Sequence, residues 1–281
     1  MELREGTIIK GIGGAYTVMT GTPPLFFVCN ARGVFRNKKI TPLVGDRVKI
    51  LPAEKQTGTI YEILPRKNEL RRPPAANIEQ VIVTVSVSQP AFNAGFTDRL
   101  LIMIEREEIP IIICVNKIDL ETDRETFDIY RQAGYEIVYT DAKGDTGLDS
   151  LREKMAGKIN LFAGASGVGK SSLINALLPN STLETGEVSA KIGRGKHTTR
   201  HTEMFPLDDA GGFCFDTPGF TSLEFDMQKN ELAPLFREFR PFLGLCKFKN
   251  CLHVKEIGCA VKEQVGSKIH PARYESYVKL L

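Results

Sequence analysis

The chain has 281 residues, 42% of them hydrophobic and 25% charged, which is enough apolar content for two or three ordinary globular cores. No apolar run reaches the length of a membrane-spanning helix and no repeat or low-complexity tract is present, so a soluble protein without solenoid or disordered tail is expected. Net charge is only +3, but residues 1–72 hold 13 Lys and Arg against 6 Asp and Glu, residues 73–222 hold 14 against 21, and residues 223–281 hold 10 against 7. Basic ends around an acidic centre suit end modules that meet a phosphate backbone, and solvated surface lysines would give the same asymmetry.

Residues 1–70 read as β-rich. Short apolar or alternating runs at Thr7–Lys10, Tyr16–Met19, Leu25–Cys29 and Arg47–Leu51 are separated by turn signals at Gly11, Gly13, Gly14, Gly21 to Pro24 and Gly45-Asp46. Some five strands in this length predict a small closed barrel of the OB-fold kind, which binds oligonucleotides. Within it, Arg32, Arg36, Lys38 and Lys39 surround Phe35. The group is suited to gripping RNA by phosphate neutralisation and stacking, or equally to packing Phe35 inside the barrel with its charges solvated. Leu70 to Ala76, with two prolines, is read as a linker.

The strand Gln80–Val87 opens an α/β domain, and the apolar run Ile109–Val115 reads as a second, buried parallel strand. At its carboxyl end stand Asn116, Lys117 and Asp119, the pattern NKxD, where open α/β sheets bind ligands. A carboxylate at Asp119 accepts two hydrogen bonds from guanine N1–H and its exocyclic amine, a donor pair that adenine lacks. After the strand Tyr135–Tyr139, the segment Thr140-Asp141-Ala142-Lys143 is placed to offer backbone N–H groups to guanine O6.

Next, the apolar strand Lys158–Ala163 and the helix Ser171–Leu178 flank Gly164, Ala165, Ser166, Gly167, Val168, Gly169, Lys170, Ser171 and Ser172, a match to G-x-x-x-x-G-K-[ST] in its proper strand and helix context. Glycines let backbone N–H groups converge on phosphate oxygens, Lys170 supplies charge to the β- and γ-phosphates, and the Ser171 hydroxyl is suited to Mg²⁺. The phosphate loop thus follows the guanine motif, the reverse of the usual order, which points to a circularly permuted P-loop GTPase.

Gly193 to Arg200 forms a basic, hydroxyl-bearing stretch in which Thr199 would complete the Mg²⁺ shell. The strand Gly212–Phe215 leads to Asp216-Thr217-Pro218-Gly219, where Asp216 would hold Mg²⁺ through water and the Gly219 N–H would meet the γ-phosphate. Phe220 stands where Ras-type GTPases carry a water-orienting glutamine, so hydrolysis is slow alone or uses another group. His197 is the candidate to position or deprotonate water, and contact with solvent or RNA phosphate is the other reading of it.

Near the C-terminus, Cys246, Cys251, His253 and Cys259 give C-x₄-C-x-H-x₅-C, four ligands fit for one closed, structural, tetrahedral Zn²⁺. Cys29, Cys114 and Cys214 lie in apolar, strand-like settings and read as buried small hydrophobes, and the absence of a secretory signal favours metal over disulfides. Helices are expected over Glu231–Phe239 and Ala272–Leu280, their aromatics packing around the metal knot; His201 reads as a strand start and His270 as a helix cap.

With these motifs in place, the chain resembles over nearly its whole length the small-ribosomal-subunit-dependent GTPase A (RsgA, or YjeQ) family. The resemblance rests on the motif order, the Gly193–Thr199 loop, the Asp216–Phe220 segment and the terminal Cys/His cluster. It departs at Asp141, where many GTPases have a small residue. The resemblance implies an OB-fold RNA-binding domain at 1–70, a circularly permuted GTPase domain at 71–222 and a helical zinc-binding domain at 223–281. It further implies a cytoplasmic factor of late 30S assembly that binds 16S rRNA and GTP or GDP, with Mg²⁺ accompanying GTP, and that leaves after subunit-stimulated hydrolysis; from the residues themselves, His197 and Lys170 are the catalytic candidates and a monomer is expected. Two other readings compete: a P-loop kinase or ATPase with a fused zinc module, which Asp119 disfavours, and an RNA scaffold holding GTP with little turnover, which Phe220 favours. Because the permutation places the Asp216–Phe220 segment just ahead of Cys246–Cys259, a change at the γ-phosphate is expected to reach the metal knot.

Overall fold

The computed structural model describes residues 2–37, 39–71, 74–120, 124–178, 202–207, 211–216 and 227–281. The chain divides into two compact units, the first made of residues 1–80, 152–162 and 171–220, the second of residues 81–151, 163–170 and 221–281.

In the first unit, β1 (Arg4–Ile12), β2 (Ala15–Thr20) and β3 (Leu25–Ala31) form an antiparallel meander, and β3 then pairs in parallel with β5 (Thr57–Ile63). β5 pairs with β4 (Arg47–Pro52), and β4 returns to β1 with Arg4 opposite Ile50, which closes a five-stranded barrel. Closure demands strong local bending, and the register shifts between Ile8 and Lys10 and between Lys49 and Ile50 supply it. Ile8, Val18, Cys29, Val48, Ile50 and Ile60 fill the interior with essentially no exposure. Each such side chain contributes about 1.5–3 kcal/mol by leaving water, so a charge at Ile60 would open the barrel.

Phe35 lies in α1 (Gly33–Asn37) and is buried, so it packs and does not stack on a ligand. Buried Asp46 takes two hydrogen bonds from Arg66, at 2.7 and 2.8 Å, and one from the Leu43 N–H. This ties the loop before β4 to the chain leaving β5.

Leu70 to Ala76 departs from the linker expectation: β6 (Glu69–Arg71) and β7 (Pro74–Ala76) pair as an antiparallel ribbon. Proline is tolerated there because a two-stranded ribbon has free edges. The ribbon docks on the barrel through the Ala76 N–H to Val44 O, and a Cβ on Gly45 (φ +93°) would sit 2.1 Å from Ala76 O, so only glycine fits.

Beyond the barrel this unit holds β11 (Ile159–Ala163), β12 (Glu203–Pro206) and β13 (Phe213–Asp216). β13 lies parallel to β11 and antiparallel to β12, and β12 pairs with barrel strand β1 where Lys10 faces Glu203, their side chains 2.8 Å apart. Asn160, polar in an apolar strand, is accounted for by its bonds to Met155, Lys158 and Phe213 carbonyls and to Gln80.

The second unit is built on three parallel strands in the order β10 (Glu136–Thr140), β9 (Ile111–Asn116), β8 (Gln80–Ser86). Every residue of β8 and β9 is buried, as expected of strands covered on both faces. Helix α2 (Ala94–Arg106) starts at Asn93, whose side chain accepts the Phe96 N–H, and buries Leu100, Leu101, Ile102 and Ile104. Helices α3 (Glu125–Gln132) and α4 (Leu148–Met155) follow the strands in turn.

In the C-terminal part, the expected helix at Glu231–Phe239 is broken. Only α6 (Lys229–Leu232) is α-helical, followed by 3₁₀ turns at Ala233–Leu235 and Arg237–Phe242, because Pro234 and Pro241 each remove a backbone donor. α7 (Ala260–Glu263) precedes α8 (Pro271–Leu280), which begins as expected with His270 capping the Ala272 N–H. Phe236, Phe239 and Tyr277 are buried in one cluster, which confirms their aromatics as packing residues. Among the described residues, no helix is long and apolar enough to cross a membrane.

Candidate nucleotide and metal sites

The guanine motif sits in the turn after β9. Asn116 is buried and its side chain ties three segments together: its amide donates to Val168 O at 3.0 Å, and its carbonyl oxygen accepts the Thr140 hydroxyl at 3.2 Å and the Ala142 N–H at 3.3 Å. Lys117 adopts φ +64°, and its ammonium reaches Gly167 O at 2.8 Å and also Gln89 O. Asp119, two residues on, is exposed in a turn closed by the Leu120 N–H to Lys117 O. NKxD therefore works first as a brace: Asn116 and Lys117 tie the phosphate loop to the turns after β9 and β10, and Asp119 is exposed.

The phosphate loop, Gly164–Lys170, runs from the end of β11 into α5 (Lys170–Leu177). Its glycines are set by space as well as by angle. A Cβ on Gly164 (φ +145°) would meet Thr84 O at 2.1 Å, and one on Gly169 (φ +99°) would meet the Asn116 amide at 2.3 Å. The Lys170 ammonium lies 2.8 Å from Gly164 O and 2.7 Å from Ala165 O, held over the loop it serves. Ala165, Ser166, Gly167 and Val168 complete the loop, and Ser171 and Ser172 stand in the first turn of α5.

The other predicted nucleotide residues are less fully placed. Asp216 ends β13, while His197, Thr199, Gly219, Phe220 and His201 lie outside the described residues. Of the RNA candidates, the Arg32 guanidinium lies 4.1 Å from the Tyr61 ring centre and Lys39 is exposed with φ +54°; Lys38 lies outside the described residues. Tyr61 was not singled out from sequence; only its register on the outer face of β5 reveals it.

The C-terminal ligand set comes together. One ligand atom each from Cys246, Cys251, His253 and Cys259 lies within 4.8 Å of all the others. Tetrahedral bonds of about 2.3 Å to sulfur put sulfurs about 3.8 Å apart. The Cys246–Cys259 separation is 3.9 Å, and His253 Nδ1 lies 3.5 and 3.3 Å from those two sulfurs, so the donor set fits a small tetrahedral cation. Burial pushes the Cys251 thiol up to about 12 and the His253 imidazole down. The second suits a ligand nitrogen, and a bound cation would reverse the first by stabilising thiolate.

The loop is held from outside by groups sequence reasoning missed. Glu256 accepts the Leu252, Val254 and Lys255 N–H groups, which draw its carboxyl down to about 2. The Tyr274 and Tyr277 hydroxyls donate to His253 O and Leu252 O at 2.8 and 2.7 Å.

The same unit joins this metal region to α2. Arg273 on α8, 1% exposed, pairs with Asp98 on α2 and with Glu238 at 2.7 Å, and Arg237 and Arg240 both grip buried Glu105. Ile102 packs into the C-terminal aromatic cluster beside these pairs. Nothing in local sequence marks Asp98 or Glu105, since helical acids are usually solvated.

A family model described as RsgA GTPase matches residues 63–226, and one described as RsgA N-terminal domain matches residues 5–60. The chain is 46% identical over 285 residues to the small ribosomal subunit biogenesis GTPase RsgA of Caldanaerobacter subterraneus subsp. tengcongensis, covering 100% of this chain and 96% of that protein. The protein of the same description from Geobacillus thermodenitrificans is 45% identical, with 99% and 97% covered. Among solved structures, YjeQ from Thermotoga maritima superposes with TM-score 0.84 at 36% identity over 99% of this chain and 97% of that one. YloQ, described as a circularly permuted GTPase, gives TM-score 0.81 at 36% identity, with 99% and 93% covered.

Proposed function

Because the chain belongs to the RsgA GTPase family and is a GTP hydrolase, we propose that it binds the small ribosomal subunit through 16S rRNA and assists its late maturation, with subunit-stimulated hydrolysis timing its release. The observation that carries the reading is the bracing of the phosphate loop by the guanine motif, Asn116 to Val168 O and Lys117 to Gly167 O, within a chain whose relatives carry a ribosome-biogenesis description. In this account Asp119 selects guanine, loop N–H groups from Gly164 to Gly169 and the Lys170 ammonium hold the phosphates, and Gly219 meets the γ-phosphate. Mg²⁺ would be held by Ser171, Thr199 and, through water, Asp216, and would neutralise phosphate charge. His197 orients the attacking water. Zn²⁺ would be held by Cys246, Cys251, His253 and Cys259 and would cross-link the loop between them.

We assign the RNA contacts to Arg32, Arg36, Lys38 and Lys39 on the barrel, and the domain limits to 1–70, 71–222 and 223–281, in a monomeric cytoplasmic protein. The β1–β12 pairing supports communication between them, since it places barrel and nucleotide-domain strands in one ladder. Co-sedimentation with 30S subunits in GDP, GTP and a non-hydrolysable analogue tests the proposal: the analogue should retain the protein on the subunit and GDP should release it. Equal pelleting in all three, or none, would refute it.

A further inference from the structure

We propose that Asp141 is a positioning residue for guanine recognition: its carboxylate closes the turn after β10 so that the Ala142 N–H is presented beside Asn116 as the turn's donor for guanine O6. This rests on the guanine reading of Asn116 and Asp119 given above.

An acid at this position looks adverse. Guanine O6 is an acceptor, whereas adenine carries an amino group in its place, and an uncommitted carboxylate would attract the amino group and repel the oxygen. The structure shows how the charge is committed elsewhere. Asp141 Oδ1 accepts the Lys143 N–H at 2.9 Å and Oδ2 accepts the Gly144 N–H at 3.0 Å. The Asp141 N–H itself bonds Thr146 O at 2.9 Å. Of the four N–H groups from Asp141 to Gly144, those of Asp141, Lys143 and Gly144 bond within residues 141–146, whereas that of Ala142 bonds outside them, at the long distance of 3.3 Å to Asn116 Oδ1, a bond weak enough to exchange.

The turn is built around this carboxylate. A Cβ on Gly147 (φ +73°) would lie 2.0 Å from Tyr139 O, so that position needs glycine for the turn to close, and one on Gly144 would lie 2.5 Å from Asp141 Oδ2, so a side chain there would displace the carboxylate. Removing the carboxylate frees two competing donors and loosens the aim of the Ala142 N–H, while the phosphate loop and Asp119 are untouched.

The test uses the full chain carrying Asp141→Ala or Asp141→Asn, with affinities measured by competition against a fluorescent GDP. The ligands are GTP and the triphosphate of 2-aminopurine riboside, which keeps the phosphates and the 2-amino group but has hydrogen in place of O6. Asp141→Ala should weaken GTP about tenfold, the scale of losing charge-assisted hydrogen bonds, and weaken the analogue less than about twofold; Asp141→Asn, with one acceptor oxygen retained, should recover part of the loss. Equal losses for both ligands, an unchanged GTP affinity, or no recovery with Asn would overturn the proposal. Wild-type protein that binds the two ligands equally would instead overturn the guanine reading itself, a failure visible without any variant.

Discussion

Replacing Asp98 by Ala should uncouple the C-terminal region from α2 without disturbing the barrel. Arg273 is 1% exposed and lies against the rings of Phe236 and Tyr130, 4.7 and 5.4 Å from their centres, so it has no route to water when a partner is lost. Breaking a buried pair costs about 3–5 kcal/mol, and because Glu238 stays at 2.7 Å the lower end applies, about 3 kcal/mol. If opening of this joint is local, amide exchange in α8 should speed up by about a hundredfold or more. Hydrogen exchange by mass spectrometry reads this directly, with barrel strands β1 to β5 as the internal control. Arg273→Met should be worse, since it strands two buried carboxylates, while replacing all three by apolar residues of similar volume should return exchange to within about tenfold of wild type. Exchange in α8 changed by less than threefold in Asp98→Ala, or changed equally in the barrel, would refute the reasoning.

Gly164→Ala should abolish GTP binding while leaving the circular dichroism spectrum in place, because its Cβ would enter the Thr84 carbonyl at 2.1 Å; retained affinity within threefold would count against the loop geometry. Asp119→Asn should exchange GTP for xanthosine triphosphate, since the amide donates where the carboxylate accepted; unchanged GTP affinity would remove Asp119 from base recognition. Cys259→Ser should remove one equivalent of zinc measured by elemental analysis and raise proteolysis in residues 244–260, because Leu245, Phe248 and Ile257 there are exposed and add no core that would replace the metal; a full metal complement would mean that the four residues are not the ligands.

What was legible from sequence followed from how local each constraint is. The phosphate loop and NKxD are short runs whose chemistry needs particular residues at fixed spacing, and both stand where strand patterning put them, at the ends of β11 and β9. The metal ligands were readable for the same reason and converge within 4.8 Å. Barrel strands came from alternation, but β5 was not located because Thr57–Ile63 mixes Thr, Gly and Glu, with Ile60 its single fully buried side chain. Proline misled twice in opposite senses: a two-stranded ribbon tolerated it at Pro74, where a linker was expected, while Pro234 broke a helix that the apolar spacing had suggested. Long-range polar ties were illegible, since Asp98 and Arg273 are 175 positions apart and each looks like any surface charge until the fold buries it.

The central claim, a GTP hydrolase governed by the small ribosomal subunit, is tested most directly by steady-state GTP hydrolysis with and without purified 30S subunits, for wild type and His197→Ala. The account predicts slow turnover by the free protein, marked stimulation by 30S subunits, and loss of that stimulation in the variant with GTP affinity retained. A wild-type rate that 30S subunits leave unchanged would contradict it.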